Sequence, residues 1–232
     1  MRRLLTPRWI AGHLLAVTGV VAFVLFGFWQ LERHDQKKQI RGEVEAASVL
    51  PPAALGTVDG DLAYRMVWAD GEYDRSAGAL VLRSQSGTAG YGIITPLVMV
   101  DGSAVLVLRG WVPLDYDRVP VDAAAPPEGT VRVTGQMWPS GRAEAPDEPA
   151  GIMKSISPGA VAAFTAYPIL EGQYLLAFEE VPSAPVDGRV MAYPERPGVS
   201  LGPHLGYAGQ WFLFAAVVLA GYPLLLRRTL RP

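Results

Sequence analysis

The chain has 232 residues, half of them apolar, with a formal net charge of −2 and no cysteine. That composition excludes disulfides, thiolate metal sites and a CxxC redox motif, and gives no sign of a nucleic-acid surface. A positive mean hydropathy points toward a membrane.

Arg2, Arg3 and Arg8 precede the first apolar run, Trp9 to Leu31, "WIAGHLLAVTGVVAFVLFGFWQL". A span needs roughly 20 mostly apolar residues, and this run qualifies. It is too long for a signal peptide and no A-x-A site follows, so it reads as an uncleaved anchor. Residues 32–50, "ERHDQKKQIRGEVEAA" and on, continue the helix until Pro51-Pro52 breaks it. A second apolar run extends from Tyr207 to Leu226, in a helix predicted over 204–226. Arg227, Arg228 and Arg231 follow it, while only Arg196 lies close before it. The positive-inside rule then places both termini, 1–8 and 227–232, in the cytoplasm of a bacterial plasma membrane, with Arg33, Lys37, Lys38 and Arg41 as the counterweight. Trp9, Trp29, Tyr207 and Trp211 sit where aromatic belts lie.

Residues 51–203 read as an extracytoplasmic domain. Short strand-like runs follow one another: 62–70, 79–84, 91–100, 103–113, 130–138 and 174–181. In "TVRVTGQM" the apolar Val131, Val133 and Met137 alternate with Arg132, Thr134 and Gln136, the period of a sheet with one buried face. Asp101-Gly102 is a hairpin turn between two β-branched runs. Ser157 and Pro158 mark the cap and first position of a short helix. The predicted fold is a membrane protein of the α+β class: two transmembrane helices flanking an antiparallel, β-rich domain that is barrel- or sandwich-like.

Catalytic signatures are missing. "SGTAGYG" (86–92) lacks the Lys-Ser/Thr of a phosphate loop and reads as a turn. All three histidines lie outside the central domain, which leaves no Ser-His-Asp triad there. Glu179 and Glu180 are expected to face solvent at a strand end. In "RGWVP", Arg109 and Trp111 are expected on one side of a strand. They form either a pocket-lining or partner-binding pair, or an Arg stacked on Trp to close the domain. The domain is therefore expected to bind or scaffold, not to catalyse.

Three blocks resemble the Surfeit-locus-one family of cytochrome c oxidase assembly factors. They are "GFWQLERHDQK" (27–37), "GYGIITPLVMVDGSAVLVLRGWVP" (90–113) and "HLGYAGQWFLFA" (204–215). The resemblance implies a non-catalytic helper in building haem–copper oxidase. Its partners would be the haem-carrying largest subunit, other oxidase assembly factors and the lipid bilayer, with no nucleic acid. It also implies a role in delivering or holding haem A transiently.

The span borders supply residues for that role. Pro203 suits the first helical position and puts His204 in the first turn. There a neutral imidazole has a lone pair for a metal. Spacing sets His204, Tyr207 and Trp211 on one stripe, and Gln30, Arg33 and Lys37 on another, with His34 one turn from Gln30. His204 would approach the haem iron, as histidine commonly does, and Arg33 and Lys37 would take the propionates. The alternatives are that the cations snorkel to lipid phosphates and that His204 caps or hydrogen-bonds the domain. His13, inside the first span, is either a site residue or a contact between helices. At the level of function, the rivals are a scaffold that never touches haem and an unrelated envelope protein.

Overall fold

The computed structural model describes residues 6–57, 62–141, 151–184 and 198–230. Arg2, Arg3, Arg196 and Arg231, used above for topology, lie outside the described residues. The chain divides into two compact units, Met1–Glu43 with Gly198–Pro232, and Val44–Pro197.

Helix α1, Pro7–Ser48, runs unbroken through the first apolar segment and its polar continuation. Helix α3, His204–Leu230, carries the second. Each is long and apolar enough to cross a membrane, and only 6% of each apolar window is buried. Leu14, Leu15, Leu25, Leu213, Val217 and Leu219 all stand exposed. The few buried positions are small: Gly27 on α1, Ala208 and Ala215 on α3. Small residues let two helix backbones approach closely. At Gly27 the fit is tightest, since an added Cβ would come within 2.5 Å of Cε1 of Phe212. Aromatic rings fill the space beside it. Trp211 lies 5.0 Å from Phe26 and 5.7 Å from Phe23, and Phe212 meets Phe28 edge-on at 5.5 Å.

The second unit is built on an eight-stranded sheet. Its strands are β1 (Ala53–Ala54), β2 (Met66–Tyr73), β3 (Ala79–Gln85), β4 (Thr88–Met99), β5 (Ala104–Pro113), β6 (Thr130–Pro139), β7 (Ile152–Met153) and β8 (Gln173–Val181), with helix α2 (Pro158–Ala162) between the last two. The order is β1-β2-β6-β8-β5-β4-β3-β7, with β2 also paired to β4. The pairings β2–β6–β8–β5–β4 thus return to the strand at which they began. One face of this ring carries Val67, Leu97, Val105, Val107, Val131, Val133, Met137 and Leu175, drawn from all five strands and packed as one core. A second core, with Leu106, Leu108 and Leu176, packs against Ala160 and Val161 of α2. Ser157 caps α2 as its residue type predicts, accepting from the backbone N–H of Ala160.

The sheet is mixed, not wholly antiparallel. β1–β2, β3–β7 and β5–β8 are parallel. β5 and β8 can run parallel because β6, β7 and α2 lie between them in the chain and supply the long crossover that parallel neighbours need. β1 and β7 are two residues each, too short to leave an alternating pattern in the sequence.

Two bulges reset the alternation of side chains. Ile93 stands opposite Gly110 while Ile94 stands opposite Leu108, so Arg109 is the extra residue of β5. Thr134 stands opposite Glu179 and Gly135 opposite Ala177, so Phe178 is the extra residue of β8. Beyond the second bulge the inward position passes from Glu179 to Glu180. Glu180 is therefore 2% exposed, contrary to the expectation of a solvated strand end.

Arg109 and Trp111 are likewise separated. Arg109 is wholly buried, donates from Nε and Nη2 to the two oxygens of Glu180 at 2.9 and 3.3 Å, and from Nη1 to the carbonyl of Ala124 at 3.0 Å. The aromatic ring under its guanidinium is Tyr73, at 4.8 Å, not Trp111. The Trp111 indole instead lies over Gly90, where a Cβ would collide with it, and donates to the carbonyl of Arg83 at 3.0 Å. "SGTAGYG" is a turn only at Ser86-Gly87, both at positive φ; Thr88 onward is strand β4.

Candidate functional site

Hydrogen bonds at both ends join α1 to α3. His204 Nδ1 lies 2.8 Å from Oε1 of Gln30. His13 Nδ1 lies 2.6 Å from the hydroxyl of Tyr222. At about 1.5 Å of rise per residue, the two are separated along each helix by about 25 Å. The aromatic group of Phe23, Phe26, Phe28, Trp211 and Phe212 falls between them, nearer the His204 end.

The His204 end begins with the chain entering α3. Gly202 has φ of +66°, a conformation that suits glycine, and Pro203 follows it. The same glycine leaves room for the histidine. A Cβ at position 202 would stand 3.2 Å from Nε2 and 3.3 Å from Cδ2 of His204. The imidazole is half-buried, and its Nε2 makes no hydrogen bond to the described residues.

Of the predicted site residues, the structure brings Gln30 and His204 into direct contact. Trp211 faces Phe23 and Phe26 across the helix pair, so its ring serves packing and offers no free face on that side. Tyr207 is half-exposed. Arg33 is exposed and donates from Nη1 to Oε1 of Gln36 on its own helix at 3.0 Å. Lys37 is half-buried. His34 lies one turn from Gln30, and its Nδ1 is buried with no hydrogen-bond partner among the described residues. His13 contacts the other helix through Tyr222.

Sequence reasoning missed Gly202, whose signal was only a Gly-Pro pair before a helix. It missed Gly27 and Tyr222 because a contact across helices leaves no local pattern. It also missed the partner of Arg109. In the sheet unit, burial first, and then the adjacent Glu180 carboxylate, push the Tyr73 phenol well above its usual range. Tyr73 therefore stays a hydroxyl and donates to Glu180 Oε1 at 2.6 Å. Arg109 and Thr95 line a cavity of about 320 Å³ beneath residues 119–126, with Arg75 and Asp122 as its other charged groups. Trp111 does not line it.

These features define a class: a β-sheet domain tied in sequence to a pair of apolar helices that carry histidines at both ends. The model of the SURF1 family matches residues 17–216, and the chain belongs to that family. An uncharacterized SURF1-like protein of Mycobacterium tuberculosis is 29% identical over 94% of this chain and 83% of its own. A SURF1-like protein of Monosiga brevicollis is 37% identical over half of each chain. One from Dictyostelium discoideum is 35% identical over 40% of this chain and 38% of its own.

Proposed function

We propose that the protein is a non-catalytic assembly factor for a haem–copper cytochrome c oxidase. Both helices span the plasma membrane, and the sheet domain lies on the extracytoplasmic side. Arg8 at the start of α1 and Arg227 and Arg228 at the end of α3 support cytoplasmic termini by the positive-inside rule. The exposed leucines and valines on both helices suit lipid, since an apolar surface of that extent is costly in water. The client is the haem-carrying largest subunit, with other assembly factors as further partners.

The observation that carries the reading is the His204–Gln30 contact, a histidine at the end of an apolar helix pair whose other nitrogen has no partner among the described residues. The residues present fit haem A on three counts. His204 offers Nε2, and Gly202 leaves that edge uncovered. His34 Nδ1 is a buried polar atom without a hydrogen-bond partner among the described residues. Arg33 is an exposed cation one turn away on α1, suited to a carboxylate through paired N–H donors. Haem A would supply an iron that imidazole can ligate and two propionates. His204 would hold the iron, Arg33 and Lys37 the propionates, and Gln30 and Tyr207 would border the site. Trp211 supports the site through packing, since Phe23 and Phe26 occupy its ring.

Deletion of the gene tests the assembly role. Oxidase activity and a-type haem absorbance in membranes should both fall, and wild-type values would overturn the role. Titration of the purified chain with haem A separates a haem holder from a scaffold. The holder gives a saturable shift in the haem spectrum that His204→Ala abolishes.

A further inference from the structure

A histidine ligand works through one nitrogen, and what the other nitrogen does decides which. The two histidines that bond across the helix pair differ here. His13 Nδ1 faces a hydroxyl, which both donates and accepts and so leaves the ring tautomer open. His204 Nδ1 faces Oε1 of Gln30 at 2.8 Å. A carboxamide oxygen only accepts. The bond exists only if Nδ1 carries the proton, and in a neutral ring Nε2 then carries the lone pair.

The surroundings of Nε2 agree. It has no hydrogen-bond partner among the described residues, and a side chain at Gly202 would begin 3.2 Å from it. Gly202 has positive φ, and Pro203 follows it as the chain enters α3 at His204. Glycine is thus required twice, by the backbone conformation and by the space over Nε2.

We propose that Gln30 is the positioning residue of this site: it holds His204 as the Nδ1–H tautomer, while Gly202 keeps the Nε2 lone pair uncovered for an iron. Partners on the second nitrogen of a metal-bound histidine commonly fix ring orientation and tautomer in this way. The inference rests on the haem reading for its purpose, but its physical content belongs to the chain alone.

The test reads the ring directly. The chain has three histidines, so the full chain in detergent micelles, with ¹⁵N-histidine and the substitutions His13→Gln and His34→Gln, reports His204 alone by nitrogen NMR. The expected result is a protonated Nδ1 and a bare Nε2 before any haem is added. A protonated Nε2 overturns the proposal, and this reading needs no change at Gln30 or Gly202. Gln30→Leu should shift the ring to the Nε2–H form that free imidazole side chains favour, and Gln30→Glu, which keeps an acceptor, should retain Nδ1–H. With haem A as the probe, Gln30→Leu should bind about 10-fold more weakly and Gln30→Glu about as well as the parent. Gly202→Ala should leave the tautomer unchanged yet weaken haem binding, because its methyl covers Nε2. Equal haem affinity in the parent, Gln30→Leu and Gly202→Ala overturns the positioning role. A parent chain that shows Nδ1–H and binds no haem A overturns the haem reading while supporting the tautomer.

Discussion

Arg109 and Glu180 in the sheet domain answer each other with two N–H···O bonds, and Tyr73 and the carbonyl of Ala124 add to the network. Among the described residues, His204 in the helix pair has one hydrogen-bond partner and a nitrogen to spare. Both place an ionisable group among apolar neighbours, where an unsatisfied polar atom is costly. The sheet domain meets that cost by matching charge with charge in a closed interior. The helix pair keeps part of the valence of its histidine open, which is the condition for binding something else. On the proposed function, the contrast separates polar groups that hold a fold from polar groups that take a ligand.

The largest expected effect lies on the closed side. Arg109→Leu leaves the Glu180 carboxylate buried and unpaired, and should cost the sheet domain about 3–5 kcal/mol. Urea unfolding of the full chain in detergent, followed by tryptophan fluorescence, measures it. Replacing both partners, with Arg109→Leu and Glu180→Leu together, should recover part of the loss, because no buried charge is then left uncompensated, while the Tyr73 hydroxyl and the Ala124 carbonyl still lose their partners. A double variant as unstable as the single one would mean that the network is not closed, and the contrast would fail.

The helix pair answers to shape more than to charge. A Cβ at Gly27 would meet the Phe212 ring at 2.5 Å, whereas one at Gly19 meets nothing within 4 Å. Gly27→Ala should therefore weaken the pair by about 1–3 kcal/mol through overpacking. Gly19→Ala should leave it unchanged or slightly firmer, since alanine is the better helix former by about 1 kcal/mol. A detergent-driven unfolding titration compares them. Phe212→Leu should rescue Gly27→Ala if the ring is the obstacle.

The sequence carried what is local. The hairpin at Asp101-Gly102, the cap at Ser157 and the long strands β2 to β6 and β8 follow from turn chemistry and a period of two, and their ranges agree with expectation to within a few residues. Arg109 and Glu180 did not follow, because each lies at or beyond a bulge, and one extra residue reverses which side chains face inward. No count along "YLLAFEEV" shows that Phe178 is the extra one. The His204–Gln30 contact was half legible. Both residues stood out at the borders of their spans, but their pairing depends on how two helices face each other, and Trp211, placed on the same stripe as His204, went to the packing between them.

A smaller effect is expected at Ser157, whose hydroxyl accepts from the N–H of Ala160 at 3.3 Å. Ser157→Ala should cost about 1 kcal/mol through the lost cap, and Ser157→Asp more, since the position is 2% exposed and a carboxylate there is desolvated. Urea unfolding again measures the difference. The loss should fall on the sheet domain, and the proposed haem titration should be unchanged, because the proposed site residues all lie in the other unit.

The smallest effect divides the sheet domain's own charges into sheltered and exposed. At Asp74, burial alone would raise the carboxyl. Hydrogen bonds from Ser76, from Tyr167 at 2.7 Å and from the backbone of Ser76 and Ala77 together outweigh it and hold the group below 3.8. Asp70 is lowered as well, first by its hydrogen bond from Arg132, whose guanidinium also lies 4.2 Å over Trp68. In both cases the unfolded chain takes up the proton first. The stability is therefore fully present above the ordinary aspartate value and is lost as pH falls below it toward the folded value. Asp74→Asn and Asp70→Asn should each flatten that acid limb in unfolding measured from pH 6 downward, pH values at the order of the aspartate range. Salt tells them apart. The Asp70–Arg132 pair is exposed and its contribution should shrink in salt of about 1 M. The neutral donors around Asp74 are indifferent to screening, so its share of the limb should persist.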